Sequence, residues 1–178
     1  DVYKRQVFPE LGVKYSTKRK KADQSPYETL ETGLASCTGL SVLLVDACRA
    51  VGIPARIVGT PLWSDRSGNH TWVEIWDGDW HFTGACEPTG NELDRGWFTG
   101  RASTAQRDHR LHAIYAVTFK NNGQTFPMVW DRDNQSVFAV NVTDRYTVKK
   151  SQIPDGYATV RFRACLLYTS DAADDVAS

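Results

Sequence analysis

A single apolar helix, sharply bounded at both ends, dictates much of what this chain can become. Leu40, Leu43, Leu44, Ala47, Cys48 and Val51 recur at spacings of three and four, which predicts a helix burying one face with Asp46 and Arg49 turned outward. Gly52 ends it and Pro54 prevents its resumption. The polar turn "GLAS" precedes it, so Cys37 falls in or just before the first turn. Backbone N–H groups have no intrahelical partners there, and the helix dipole favours a negative charge. A thiolate is stabilised in such a place.

The buried face needs a second layer, and the sequence supplies strands for it. Ala55 to Thr60 ("ARIVGT") reads as a strand, "PLWSDRSGN" as a loop, and His70 to Trp76 ("HTWVEIW") as a second strand. Alternation puts His70, Trp72, Glu74 and Trp76 on one face and Thr71, Val73 and Ile75 on the other. "DGD" turns the chain into a third strand beginning at Trp80. Upstream, "SPYE" at Ser25 to Glu28 is a capping box with proline at the first helical position, opening a short helix that ends near Gly33. Residues 88–110 form an irregular connector with room for short helical turns. The strand-like runs "HAIYAVTF", "FPMVWD", "SVFAVNVT" and "YATVRFRA" follow. Helices first and an antiparallel sheet afterwards define an α+β class.

Composition removes several functions. Lysine plus arginine and aspartate plus glutamate each number 21, a balance that argues against nucleic acid as a main partner. The basic run "KRKK" at Lys18 to Lys21 reads as a solvated turn. No stretch has the roughly 18 apolar residues of a membrane span. Cys37, Cys48 and Cys86 are irregularly spaced and, with the four histidines, show none of the short paired spacings of zinc sites. No cofactor and no metal are expected. The opening "DVYKRQ" and the closing "CLLYTSDAADDVAS" resemble translations of a sequencing-library adapter read in its two orientations. Residues 1–6 and 165–178 are therefore expected to be non-native tails around a domain of residues 7–164. Strands after Leu111 would complete the sheet or begin a second domain.

A cysteine opening a helix, followed by a histidine opening a strand, is the arrangement a thiol nucleophile requires. The imidazole must come within about 3 to 4 Å of the sulfur to share its proton. On spacing alone, a small buried cysteine and a satisfied core histidine explain the same residues.

The wording of the segment goes further. "GLASCTGLSVLLVDACRAVGIPARIV", "GNHTWVEIWDGDWHF" and "WHFTG" resemble, in order, the nucleophile, histidine and third-residue motifs of the transglutaminase-like superfamily. The resemblance covers about a third of the chain. It implies a papain-like fold, the cysteine helix packed on an antiparallel sheet, with Cys37 as nucleophile and His70 as its base. Cysteine peptidases, protein glutamine amidotransferases and peptide N-glycanases belong to that family. "HTWVEIWDGDWHFTGACEP" with "LDRGWF" is also similar to bacterial members, often exported; the compartment of this chain stays open.

One position departs from the pattern. The family's aspartate, counted four residues from Trp80, falls on Gly84, which cannot orient an imidazole. Glu87 and Asp94 are the nearby carboxylates; Glu87 either takes over the role or decorates a turn before Pro88. Trp63, Trp72 and Trp97 are candidate walls of a substrate cleft, core packing being the alternative for Trp63 and Trp72. Glu74 is placed to pair with Arg56 across adjacent strands, or to sit at a solvated edge. Cys86 is a spectator, a disulfide partner, or an occupant of part of the missing aspartate's place. Gly68 and Asn69 shape the turn presenting His70.

The expected function is cysteine-dependent acyl transfer, hydrolysis of a peptide or amide bond in a peptide or protein substrate by a monomer. The alternatives are glutamine crosslinking, N-glycanase-like deglycosylation, and an inactive domain that binds peptides.

Overall fold

The computed structural model describes residues 7–86 and 92–147. The capping box forms as its residue types require. The Ser25 hydroxyl accepts from the Glu28 N–H, and the Glu28 carboxylate accepts from the Ser25 N–H at 2.8 Å, opening α1 (Pro26–Thr32). Gly33 closes α1 in the left-handed conformation, φ 65°. Two short parallel strands, β1 (Lys14–Tyr15) and β2 (Leu34–Ala35), tie the incoming chain to this turn. α2 (Cys37–Ala50) starts at the expected cysteine. Ser36 caps it, its Oγ accepting from the Gly39 N–H at 3.1 Å and donating to the Ala22 carbonyl.

The buried face of α2 is rotated from the predicted stripe. Leu40, Leu43 and Leu44 are buried as expected, joined by Ser41 and Val45, whereas Val51 is 61% exposed. Beyond Val45 the helix is half-buried or exposed: Cys48 still packs against the core, and with Val51 it lines an apolar groove that Val7 and Leu11 share.

Three strands follow where alternation placed them: β3 (Ala55–Thr60), β4 (His70–Trp76) and β5 (Trp80–Thr83). With β6 (Tyr115–Val117) and β7 (Ala139–Asn141) they form an antiparallel sheet in the order β5-β4-β3-β6-β7. The register sets Thr60 opposite His70 and Arg56 opposite Glu74. α2 packs on one face, burying Leu40, Leu43, Leu44 and Val45 against Ala55 and Val73. The other face carries Val58, Trp63, Trp72, Phe98, Ile114 and Ala116, covered by α3 (Thr99–Ala102) and by Tyr146 of α4 (Asp144–Thr147). Burial of this kind supplies about 25 cal/mol per Å² of apolar surface, so a sheet covered on both faces is a strong local scaffold.

The later strand expectations hold only in part. "HAIYAVTF" and "SVFAVNVT" contribute three residues each to the ladder, and "FPMVWD" is no strand. Pro127 has no N–H to donate, and the segment is held instead by one bridge, Thr125 to Phe138, and by Phe126 and Met128 in a small core with Tyr115 and Ala139. "YATVRFRA" and both expected tails lie outside the described residues. Among the described residues, no helix is long and apolar enough to cross a membrane.

Candidate active site

α2 and β4 bring the predicted cysteine and histidine to one place. Cys37 is the first residue of α2, His70 the first of β4. The next residue of each element fixes their approach, the hydroxyls of Thr38 and Thr71 meeting at 2.9 Å. Ser41, one turn further along α2, donates to the Thr71 carbonyl at 3.3 Å. Gly59 completes the positioning from β3. A Cβ there would lie 2.8 Å from the His70 carbonyl oxygen, so the close passage of the two strands depends on glycine.

Cys37 and His70 open into a cleft of about 390 Å³, whose described lining also includes Tyr15, Arg19, Ser36, Asn69, Cys86 and Trp97. The Cys37 thiol is held at about 4, far below the ordinary thiol range. A hydrogen bond from the Cys86 thiol contributes most; burial opposes it; the hydrogen bond and charge of His70 and the Thr71 backbone N–H add to the lowering. Cys48, at the far end of α2, shows the opposite behaviour, its thiol pushed up by burial.

Behind His70 lies an aromatic wall. Phe98, Trp97, Trp72 and Trp63 place ring centroids 4.8, 4.9, 5.8 and 6.2 Å from the imidazole. Of the three tryptophans expected to wall a cleft, only Trp97 borders it, 58% exposed. Trp63 and Trp72 are 2% and 0% exposed and stacked on one another, so they are core that backs the imidazole. Trp72 is anchored in turn. Its Nε1–H donates to the Tyr146 hydroxyl at 2.9 Å, which donates to Glu74 Oε1 at 2.7 Å, while Arg56 meets Glu74 Oε2 at 2.6 Å and stacks 3.8 Å over Trp80. The Arg56–Glu74 pair is thus buried, not a solvated edge. Burial, then the neighbouring Glu74 charge, raises the Tyr146 hydroxyl well above its usual range, so it remains a donor.

The carboxylate question narrows. Gly84 directly follows β5. Asp94 is engaged elsewhere: its Oδ2 meets His81 Nδ1 at 2.8 Å and its Oδ1 accepts from the Phe82 N–H at 3.1 Å. Glu87 lies outside the described residues. Sequence reasoning missed Thr38, Thr71 and Tyr146. Nothing in a threonine's neighbours marks it as a clamp, and Tyr146 is 72 residues from Glu74. Among the described residues, no three or more His, Cys, Asp or Glu side chains are grouped to hold a metal ion.

A cysteine at a helix N-terminus, a histidine opening the adjacent strand and an antiparallel sheet beneath them are the arrangement that the sequence motifs implied. The chain belongs to the transglutaminase-like superfamily, whose defining pattern matches residues 6–99. Two solved structures are similar in part. One is a candidate cysteine protease from Cytophaga hutchinsonii (21% identity, TM-score 0.39, 49% of this chain and 32% of that one). The other is a TGase (18% identity, TM-score 0.38, 53% of this chain and 28% of that one). The chain thus spans about a third or less of either protein's length. No curated protein is similar enough to count as a relative.

Proposed function

We propose that this chain carries a cysteine-dependent acyl-transfer centre that hydrolyses a peptide or amide bond in a peptide or protein substrate. The observation that carries the reading is the meeting of Cys37, at the start of α2, with His70 in an open cleft. The Cys37 thiolate attacks the carbonyl carbon, and the first-turn amides of α2 stabilise the oxyanion that forms. His70, as imidazolium, protonates the leaving amine. Neutral again, it takes a proton from water, which attacks the acyl-enzyme and releases the acid. Trp97 is the cleft's aromatic contact for the substrate.

Glu87 is the proposed orienting carboxylate for His70. Two observations support it: Asp94 is committed to His81, and Glu87 is the chain neighbour of Cys86, which lines the cleft. The test of the whole reading is turnover of a library of internally quenched peptides by the unsubstituted chain, Cys37→Ala and His70→Ala. Cleavage lost in both variants supports hydrolysis. Amine incorporation into glutamine peptides without cleavage moves the assignment to crosslinking. Binding without turnover moves it to a peptide-binding domain.

A further inference from the structure

The cleft holds a second thiol. Cys86 lies three residues beyond β5, just after Ala85, which is 2% exposed in the core beneath α2. Cys86 packs against that same core and lines the cleft beside Cys37. Both thiols line the one cleft, neither is in a disulfide, and Cys86 is the leading cause of the lowered Cys37 thiol. Cys48, eleven residues along α2, faces a different groove and takes no part. Two thiols lining one open cleft, one of them acidic, are the reactants for disulfide formation.

We infer that Cys37 and Cys86 form a redox-active dithiol that closes to a disulfide with hydrogen peroxide and reopens with a thiol reductant. The Cys37 thiolate attacks one peroxide oxygen. A sulfur–oxygen bond forms, the oxygen–oxygen bond breaks, and the departing hydroxide takes up the proton Cys37 lost on ionising. The Cys86 sulfur then attacks the Cys37 sulfur. The disulfide forms, the sulfur–oxygen bond breaks, and the Cys86 proton leaves with the hydroxyl as a second water. Two electrons pass from the sulfurs to the peroxide oxygens, and two thiols plus one peroxide become one disulfide plus two waters. The closed form has no thiolate at position 37. A dithiol of this kind takes the nucleophile out of service and shields it from irreversible oxidation to sulfinic acid.

The inference concerns sulfur chemistry alone, so it can fail while acyl transfer stands, or the reverse. The full chain is treated with a small excess of hydrogen peroxide in the presence of dimedone, which traps sulfenic acids, then digested without reduction and mapped by mass spectrometry. The expected product is a peptide linking Cys37 to Cys86, with two thiols lost per chain and both recovered with dithiothreitol. In Cys86→Ser the expected product is a dimedone adduct on Cys37, because the resolving sulfur is gone. A dimedone adduct or sulfinic acid on Cys37 of the unsubstituted chain with Cys86 still a thiol overturns the inference. So does a link from Cys37 to another cysteine, or no oxidation at Cys37. Should Cys86→Ser fail to fold, the mapping of the unsubstituted chain decides by itself.

Discussion

The hydroxyls of Thr38 and Thr71 meet at 2.9 Å, and each directly follows the residue it helps to place, Cys37 on α2 and His70 on β4. The pair is a clamp between a helix start and a strand start. Replacing either threonine by its isostere valine removes the clamp and keeps the volume. Each change should cost about 0.5 to 1.5 kcal/mol of stability. The loss in Cys37 reactivity should be larger, about tenfold or more, because small displacements of reacting groups are expensive. Denaturant unfolding and thiol alkylation rates, measured on the same two variants, check both parts.

Gly59 gives a second route to the same displacement. Alanine there would put its Cβ against the His70 carbonyl oxygen, 2.8 Å away, and within 3.3 Å of Phe126 and of the Thr71 hydroxyl. The strands must separate at the site, at an expected cost of about 1 to 3 kcal/mol. Gly59→Ala should therefore melt lower and alkylate more slowly at Cys37. Gly78→Ala is the reference for glycine loss in a turn, since φ there is 77° but nothing lies within 4 Å of the added Cβ.

The buried Arg56–Glu74 pair should behave as buried pairs do when one partner is removed. Side-chain exposures are 16% and 2%, so Glu74→Leu alone leaves an uncompensated guanidinium and should cost about 3 to 5 kcal/mol, whereas Arg56→Met with Glu74→Leu should cost much less than the sum of the singles. Thermal or denaturant unfolding of the cycle measures this. Tyr146→Phe should reach the site more gently, freeing Trp72 behind His70 without removing the ion pair, and should lower turnover more than stability.

Much of this arrangement was legible beforehand, for reasons visible in the residues. Ser25, Pro26 and Glu28 carry their helix start in their own chemistry. The 3.6-residue periodicity after Cys37 and the two-residue alternation from His70 to Trp76 are strong because each element buries one face or both on a continuous partner. The Arg56–Glu74 pairing was one of the two readings that strand order and alternation allowed, and the structure shows it. What could not be read depends on contacts distant in sequence. The rotation of α2 is set by how Ser41 and Val45 dock on the sheet. Trp63 and Trp72 look alike in sequence as cleft wall or as core, and only the packing of Phe98 and Tyr146 against Trp72 decides. The fate of Cys86 was open because its partner is 49 residues away in sequence.

The orienting carboxylate can be tested by contrast. Glu87→Gln should lower turnover by a factor of about 100 or more if its carboxylate holds the imidazole. Asp94→Asn should leave turnover within about twofold and cost roughly 1 kcal/mol of stability through its bonds to His81 and Phe82. Asparagine also tolerates the left-handed φ of 59° at that position. Steady-state rates and unfolding curves for the two variants separate the roles.

The measurement closest to the central claim is the pH dependence of iodoacetamide alkylation, followed separately at Cys37 and Cys48 by mass spectrometry. A thiol held at about 4 by Cys86, His70 and the Thr71 amide is already a thiolate above that pH. Cys37 should therefore label at a nearly constant rate from about pH 5 to about pH 8, while Cys48, pushed up by burial, labels slowly and only at high pH. A Cys37 rate that instead climbs with an apparent pKa above about 8, in step with an ordinary thiol, would contradict a nucleophile activated by His70 at the start of α2.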